Sequence, residues 1–124
     1  AQSFRVHSAY FTAGCLENSE LCRVRVGITV GKRNAPLSVD RAIVKRALRE
    51  AARLRLPELR EILASRNCGL DISLRLKTEL SSLGASSRSS LKEKLHADAA
   101  VLLETVVRRA DQRRKAQPAK EGKI

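Results

Sequence analysis

Residues 25–53 read RVGITVGKRNAPLSVDRAIVKRALREAAR, and the pattern changes period partway through. The stretch 22–31 leading into it alternates, with Val24, Val26, Ile28 and Val30 on one side and Arg23, Arg25 and Thr29 on the other. A period of two with β-branched residues predicts a half-buried strand. Lys32 to Leu37, with Pro36, is a loop. Ser38 is placed to cap a helix and Asp40 falls in its first turn, where negative charge meets the helix dipole. From Val39 to about Leu56 the period is helical. Val39, Ile43, Val44, Ala47, Ala51 and Leu54 cover one side, and Arg41, Lys45, Arg46, Arg49 and Arg53 cover roughly the opposite 140° at 100° per residue. A strand followed directly by a helix with one packed face and one cationic face is the unit from which the rest is built. Like charges at helical spacing cost a few tenths of a kcal/mol per pair, a cost that a polyanionic partner removes.

Downstream, Pro57 suits the first position of a short second helix through about Ser65, which Asn67–Gly69 ends. Residues 70–80 (LDISLRLKTEL) alternate strictly, with Leu70, Ile72, Leu74, Leu76 and Leu80 inward. The outward side mixes Asp71, Ser73, Arg75, Lys77 and Glu79, so this face is expected to be neutral, salt-bridged surface. Residues 81–90 form a Ser-rich loop. Ser90 and Glu93 make a capping box for a helix from Leu91 to about Arg109, with Leu91, Leu95, Ala99, Leu102, Val106 and Ala110 on its packed face. Upstream, residues 4–15 (FRVHSAYFTAGC) predict one strand, with Val6, Ser8, Tyr10 and Thr12 on one face and Arg5, His7, Ala9 and Phe11 on the other. Leu16 to Glu20 is read as a turn that makes this strand antiparallel to the one at 22–31.

A strand–strand–helix–short helix–strand–helix order, with a helix between sheet strands, implies an α+β fold: a small two-layer α/β sandwich with the sheet packed on helices. At 124 residues one domain is expected, spanning 1–111, followed by a basic flexible tail at 112–124. No apolar run approaches the roughly 18 residues of a membrane span, and no signal-peptide pattern is present, so no membrane association is expected. The three cysteines, Cys15, Cys22 and Cys68, lack paired spacing. They read as buried reduced thiols of a cytoplasmic protein, not as a disulfide or zinc framework.

The net charge of +12 is not spread evenly. Residues 23–55 carry +8 and residues 108–124 carry +5, while 56–107 balance. One block and one tail of this kind make a binding footprint for a polyanion. Catalytic chemistry has no such support. His7 and His96 lie on different elements, no nucleophile motif or phosphate loop occurs, and no acidic cluster could hold a metal pair. No catalytic residue, no metal ligand and no small-molecule substrate are therefore assigned. Tyr10 and Phe11 offer rings on which unpaired bases could stack. The leading class is an RNA-binding protein. A membrane-surface helix is disfavoured because the apolar face of 39–56 has no aromatic anchors.

The central block resembles the protein subunit of bacterial ribonuclease P. That family has a strand of the form R-(hydrophobic)-G-(hydrophobic)-x-V-x-K-(K/R), a loop, and a helix bearing R-N-R-x-K-R-x-x-R-E. Here Arg25-Val26-Gly27-Ile28-Thr29-Val30-Gly31-Lys32-Arg33 matches the strand, and Arg41, Lys45, Arg46, Arg49 and Glu50 match the helix. Ala42 and Ile43 stand in place of the family's Asn and second Arg. The family's opening helix with paired Phe residues has few residues ahead of Phe4 to match it. The resemblance covers about residues 4–110. It implies a left-handed βαβ crossover around the basic helix. It also implies membership of an endoribonuclease, a hydrolase whose RNA subunit cuts precursor tRNA with Mg²⁺ and matures the 5′ end. By position, Lys32, Arg33, Arg41, Lys45, Arg46, Arg49 and Arg53 would contact the catalytic RNA. Tyr10 and Phe11 would line a cleft between sheet and helices for the 5′ leader. The remaining alternative is an RNA-binding structural protein of another ribonucleoprotein, such as a ribosomal protein.

Overall fold

The computed structural model describes residues 3–116. Four strands and two long helices follow one another as β1 (Ser3–His7), β2 (Phe11–Asn18), β3 (Val24–Thr29), α1 (Ser38–Arg66), β4 (Gly69–Leu76) and α2 (Arg88–Ala116), with a 3₁₀ turn at Leu80–Leu83. The sheet order is β1-β2-β4-β3. β2 pairs antiparallel with β1 and β4, and β3 lies parallel to β4. Two parallel neighbours cannot be joined by a tight turn, and α1 is the crossover that connects them. The fold is the expected α+β sandwich, but its first strands are arranged differently from the sequence expectation.

The stretch 4–15 is not one strand. A turn at Ser8–Tyr10 splits it, and Leu16–Asn18, expected as a turn, extends β2. Ser8, Ala and Tyr carry no glycine, proline or asparagine signal. The turn is held from elsewhere: Asp98 of α2 accepts from Ser8 Oγ at 2.6 Å, the Ala9 amide at 3.2 Å and the Tyr10 amide at 2.9 Å. The turn resets the alternation, so Phe11 falls in phase with Phe4 and Val6 on the buried side. β3 was expected beside the first strand, but it lies at the far edge, because β4 takes the place between.

All inward strand residues share one face. The register sets Phe4 beside Cys15 and Ile72, Val6 beside Ala13 and Leu74, and Phe11 beside Leu76. All eight are buried. α1 covers β3 and β4, and α2 covers β2 and β1. The packed face of α2 is as expected, with Leu91, Leu95, Ala99, Leu102, Val106 and Ala110 buried and Leu103 beside them. Burial of a large aliphatic side chain contributes roughly 1.5–3 kcal/mol.

The helix ends depart from expectation in four ways. α1 runs unbroken through Pro57, although the ring removes the amide that would bond to the Arg53 carbonyl. Leu59, Ile62 and Leu63 bury themselves beyond it, and that packing outweighs the lost bond. Ser38 makes no capping bond, since Leu37 holds the N-cap position, and Asp40 instead pairs with Arg88 at 3.0 Å. The cap of α2 is Ser87, whose Oγ accepts the Ser90 amide at 3.1 Å, so α2 starts three residues before the expected Leu91. α2 also continues to Ala116, past the expected domain end at 111; residues 117–124 of the expected tail lie outside the described residues. On α1, Val39 and Leu54 are exposed, and Leu48 and Ala52 take their place in the packed stripe.

The two helices run side by side in the same direction. Asp40–Arg88 at 3.0 Å, Arg55–Glu104 at 3.6 Å and Arg66 Nη1 to the Arg113 carbonyl at 3.3 Å keep a nearly constant register along about 39 Å. Both C-termini therefore meet at one end, and like dipole ends repel. Arg66 sits between them, paired to Glu17 at 2.9 Å with only 12% and 13% of the two side chains exposed. Asn67 closes α1 in the left-handed conformation, φ 56°. Gly69 follows where the backbone of the 18–23 turn crosses β4. A Cβ there would collide with the carbonyl oxygens of Glu20 and Arg23 and with Asn18 Oδ1. Among the described residues no helix is long and apolar enough to cross a membrane.

Candidate nucleic-acid interface

The cationic block of the sequence becomes a rigid surface because its loop is fastened at several points. The Ala35 amide donates to the Gly31 carbonyl at 3.1 Å, and Ala35 itself is buried. Asn34 Nδ2 donates to the Leu76 carbonyl at 3.0 Å, and the Leu80 amide donates to the Asn34 carbonyl at 2.9 Å. Arg41 turns back: its Nη1 donates to the carbonyls of Ala35 and Pro36, both at 2.9 Å. Of the sequence-assigned cations, Arg41 is thus half-buried and clamps the loop onto the first turn of α1. Lys32 and Arg33 stand exposed on the loop it holds.

Lys45, Arg46, Arg49 and Arg53 are all exposed on α1, opposite the buried Val44, Ala47, Leu48 and Ala51. Among the described residues no acid lies within ion-pair distance of Lys45, Arg46 or Arg49, and Arg53 is 3.8 Å from Glu50 across solvent. An exposed pair of that kind is worth 0–1 kcal/mol. Because α1 does not stop at Pro57, the stripe continues to Arg60, seven residues beyond Arg53 and on the same face. The proline hid that residue in the sequence; the unbroken helical period across it was the signal.

The second surface is the sheet face turned away from the helices. Its central row runs Arg5, Gly14, Ser73, Gly27 across the four strands. A Cβ on Gly14 or Gly27 would meet nothing within 4 Å, so the row is a trough open to solvent, about 590 Å³ in volume. The flanking rows are His7, Thr12, Arg75, Thr29 and Ser3, Leu16, Asp71, Arg25. Asp71 is occupied by Asn18 Nδ2 at 3.0 Å and Arg25 Nε at 3.3 Å. Arg5 and Arg75 have no acid partner among the described residues. The β4 face is salt-bridged at Asp71 as expected, but by Arg25 of β3 and not by its own strand neighbours, which leaves Arg75 as an uncompensated cation on that face among the described residues.

Tyr10 and Phe11 are not in that trough. Phe11 is 0% exposed, and Tyr10 is half-buried against the core, edge-on to Phe11 at 6.5 Å and 79°. The space between sheet and helices, expected as a cleft, is packed core. The open surface of the sheet is the opposite one. Phe4 has the guanidinium groups of Arg109 and Arg113 over its ring at 5.7 and 5.2 Å. Beneath them, burial pushes the Cys15 thiol up to about 12, against the opposing pull of those two arginines. Burial likewise raises Cys68. All three cysteines are free.

Residues 1–103 match the sequence model of the family described as ribonuclease P. A protein named "Ribonuclease P protein component" from Paraburkholderia xenovorans (strain LB400) is 35% identical over 101 residues. The match covers 80% of this chain and 66% of that relative, so the chain spans just under two thirds of its length. Among solved structures, the RNase P protein of Staphylococcus aureus superposes with a TM-score of 0.59 at 19% identity, covering 84% of this chain and 81% of that one. The RNase P protein of Thermotoga maritima superposes with a TM-score of 0.53 at 21% identity, covering 83% and 84%. At such identities the two structures speak for the fold.

Proposed function

The chain belongs to the ribonuclease P protein family, and from that membership we propose that it is the protein subunit of a ribonuclease P. In this reading it partners a catalytic RNA that cuts the 5′ leader from precursor tRNA, and the chain binds without cutting. The observation that carries the proposal is the set of solvent-facing cations on α1, Lys45, Arg46 and Arg49, with no acid beside them among the described residues, on a helix fixed at both ends. A guanidinium free of internal partners keeps its bidentate donors for phosphate. With Lys32, Arg33 and Arg53 the stripe is set to neutralise about six phosphates, which gives a salt slope of about −5 on a log–log plot.

The second half of the proposal concerns the leader. A single strand laid over the Gly14–Ser73–Gly27 trough approaches the sheet without side chains in its way, with Arg5 and Arg75 at hand for its phosphates. The Mg²⁺ of the reaction belongs in this reading to the RNA. Among the described residues no three His, Cys, Asp or Glu side chains come together. The site of action is the cytoplasm. The test is reconstitution with the cognate catalytic RNA at low Mg²⁺. Stimulated removal of the 5′ leader is the expected result, and no stimulation refutes the proposal. Recovery of a ribosomal or other RNA as the species that co-purifies would transfer the chain to another assembly.

A further inference from the structure

β3 is an edge strand, and its free side adjoins the cationic stripe. The Leu70 amide donates to the Arg23 carbonyl at 2.8 Å, which sets the phase of the parallel ladder. Arg23, Arg25 and Gly27 turn their backbone groups toward β4, and Val24, Val26 and Ile28 turn theirs to the open edge. Between that edge and α1 lies a groove of about 380 Å³. Its floor is apolar, made by Val26, Ile28 and Leu56, and the small Ala52 keeps it low. Its rim is Lys45, Arg49 and Arg53. These three follow at four-residue spacing, about 6 Å of rise per step, along one wall. Val26 is 36% exposed, although its alternation places it on the inward face of the sheet.

Three features of this groove correspond to three parts of a nucleotide. An aliphatic floor suits the face of a base, unpaired strand N–H and C=O groups suit its polar edge, and a row of cations suits the phosphates on either side. A paired base offers neither its face nor its edge, so the groove selects an unpaired one. We propose that the β3–α1 groove seats one unpaired nucleotide of the RNA that α1 binds, its base on Val26, Ile28 and Leu56 and its flanking phosphates on Lys45, Arg49 and Arg53. The inference rests on the functional reading above only in taking RNA as the partner of α1; it does not depend on which RNA that is. A peptide strand adding to the same edge is the competing occupant, and a rim of three cations, with only Arg53 near an acid (Glu50, 3.8 Å across solvent), favours the nucleotide.

The probe is a pair of RNA hairpins, identical except that one carries a single bulged 2-aminopurine. The full chain is expected to bind the bulged hairpin about tenfold more tightly, the scale of burying one base. Fluorescence of the bulged base is expected to change on binding. Val26→Gln should abolish the preference and leave the fully paired hairpin bound within twofold of wild type, and Val26→Leu should retain it. Unchanged thermal unfolding confirms that both variants fold, as an edge position allows. Equal binding of the two hairpins by wild type, or a preference that survives Val26→Gln, overturns the groove assignment. So does Val26-dependent binding of an acidic extended peptide in the absence of any hairpin preference. Arg46→Glu, outside the groove, is expected to weaken both hairpins equally. Loss of the preference alone therefore removes the groove and leaves the stripe standing, whereas failure of leader cleavage removes the assembly and leaves the groove standing.

Discussion

Two halves of one helix use the same residue types in opposite ways. From Ser38 to Arg53, α1 points Lys45, Arg46 and Arg49 at solvent with no acid in reach among the described residues. From Leu54 to Arg66, its arginines are mostly spoken for: Arg55 holds Glu58 at 2.7 Å and Glu104 at 3.6 Å, and Arg66 holds Glu17 at 2.9 Å. Arg60 alone continues the exposed stripe past Pro57. The first half stores charge for a partner, and the second uses charge to fasten the helix to α2 and the sheet. Arginine content does not tell the two apart; partner acids supplied by distant elements do.

The contrast can be broken most forcefully at Glu17. Glu17→Ala leaves Arg66 buried without its carboxylate, and about 3–5 kcal/mol of stability should be lost in urea unfolding. The chain that remains folded should bind RNA as before. Next in size, the double reversal Arg46→Glu with Arg49→Glu should lower affinity for the catalytic RNA roughly a hundredfold at 0.1 M salt, measured by filter binding. The thermal midpoint should hold or rise slightly, as repulsion along the stripe is relieved. Pro57→Ala tests the joint between the halves. It restores an amide donor opposite the Arg53 carbonyl and should stabilise by about 1–3 kcal/mol. A smaller effect is expected from Arg46→Ala, which should reduce the salt slope of RNA binding by about one. Smallest is Arg55→Ala, a partly exposed pair worth 0–1 kcal/mol, with RNA binding unchanged. A salt slope that falls as much for Arg55→Ala as for Arg46→Ala would dissolve the distinction between the halves.

Local patterns carried much of the fold into view. The alternation of 70–80 and the helical period of Leu91 to Ala110 depend on burial of one face, and there the structure shows burial; at the edge strand Val24 and Ile28 are only partly buried and Val26 is exposed. Features set by partners far along the chain were not legible. The turn at Ser8–Tyr10 is made by Asp98, so its own residues look like strand. The helix through Pro57 is kept by packing of Leu59, Ile62 and Leu63, which local propensity does not weigh. The place of β3 depends on β4 entering between two earlier strands. For the interface, sequence located Lys45, Arg46, Arg49 and Arg53 on one face. It could not foresee that Arg41 turns inward to the loop carbonyls, nor that Asp71 is neutralised by Arg25 and Asn18. The trough of Gly14, Ser73 and Gly27 exists only once three strands are in register.

The strand order also governs how the chain can come off a ribosome. β2 and β3 are made early but are not neighbours; each waits for β4, which lies between them and is made only after all of α1. The first hairpin waits longer still, because the carboxylate that fastens its turn sits at residue 98. Non-local pairing of this kind is slow and leaves apolar strands uncovered in the meantime. A nascent chain that has reached Arg66 therefore holds its cationic helix, a β1–β2 pair and a lone β3 with no β4 to join them, and the basic surface exists before the body that will carry it.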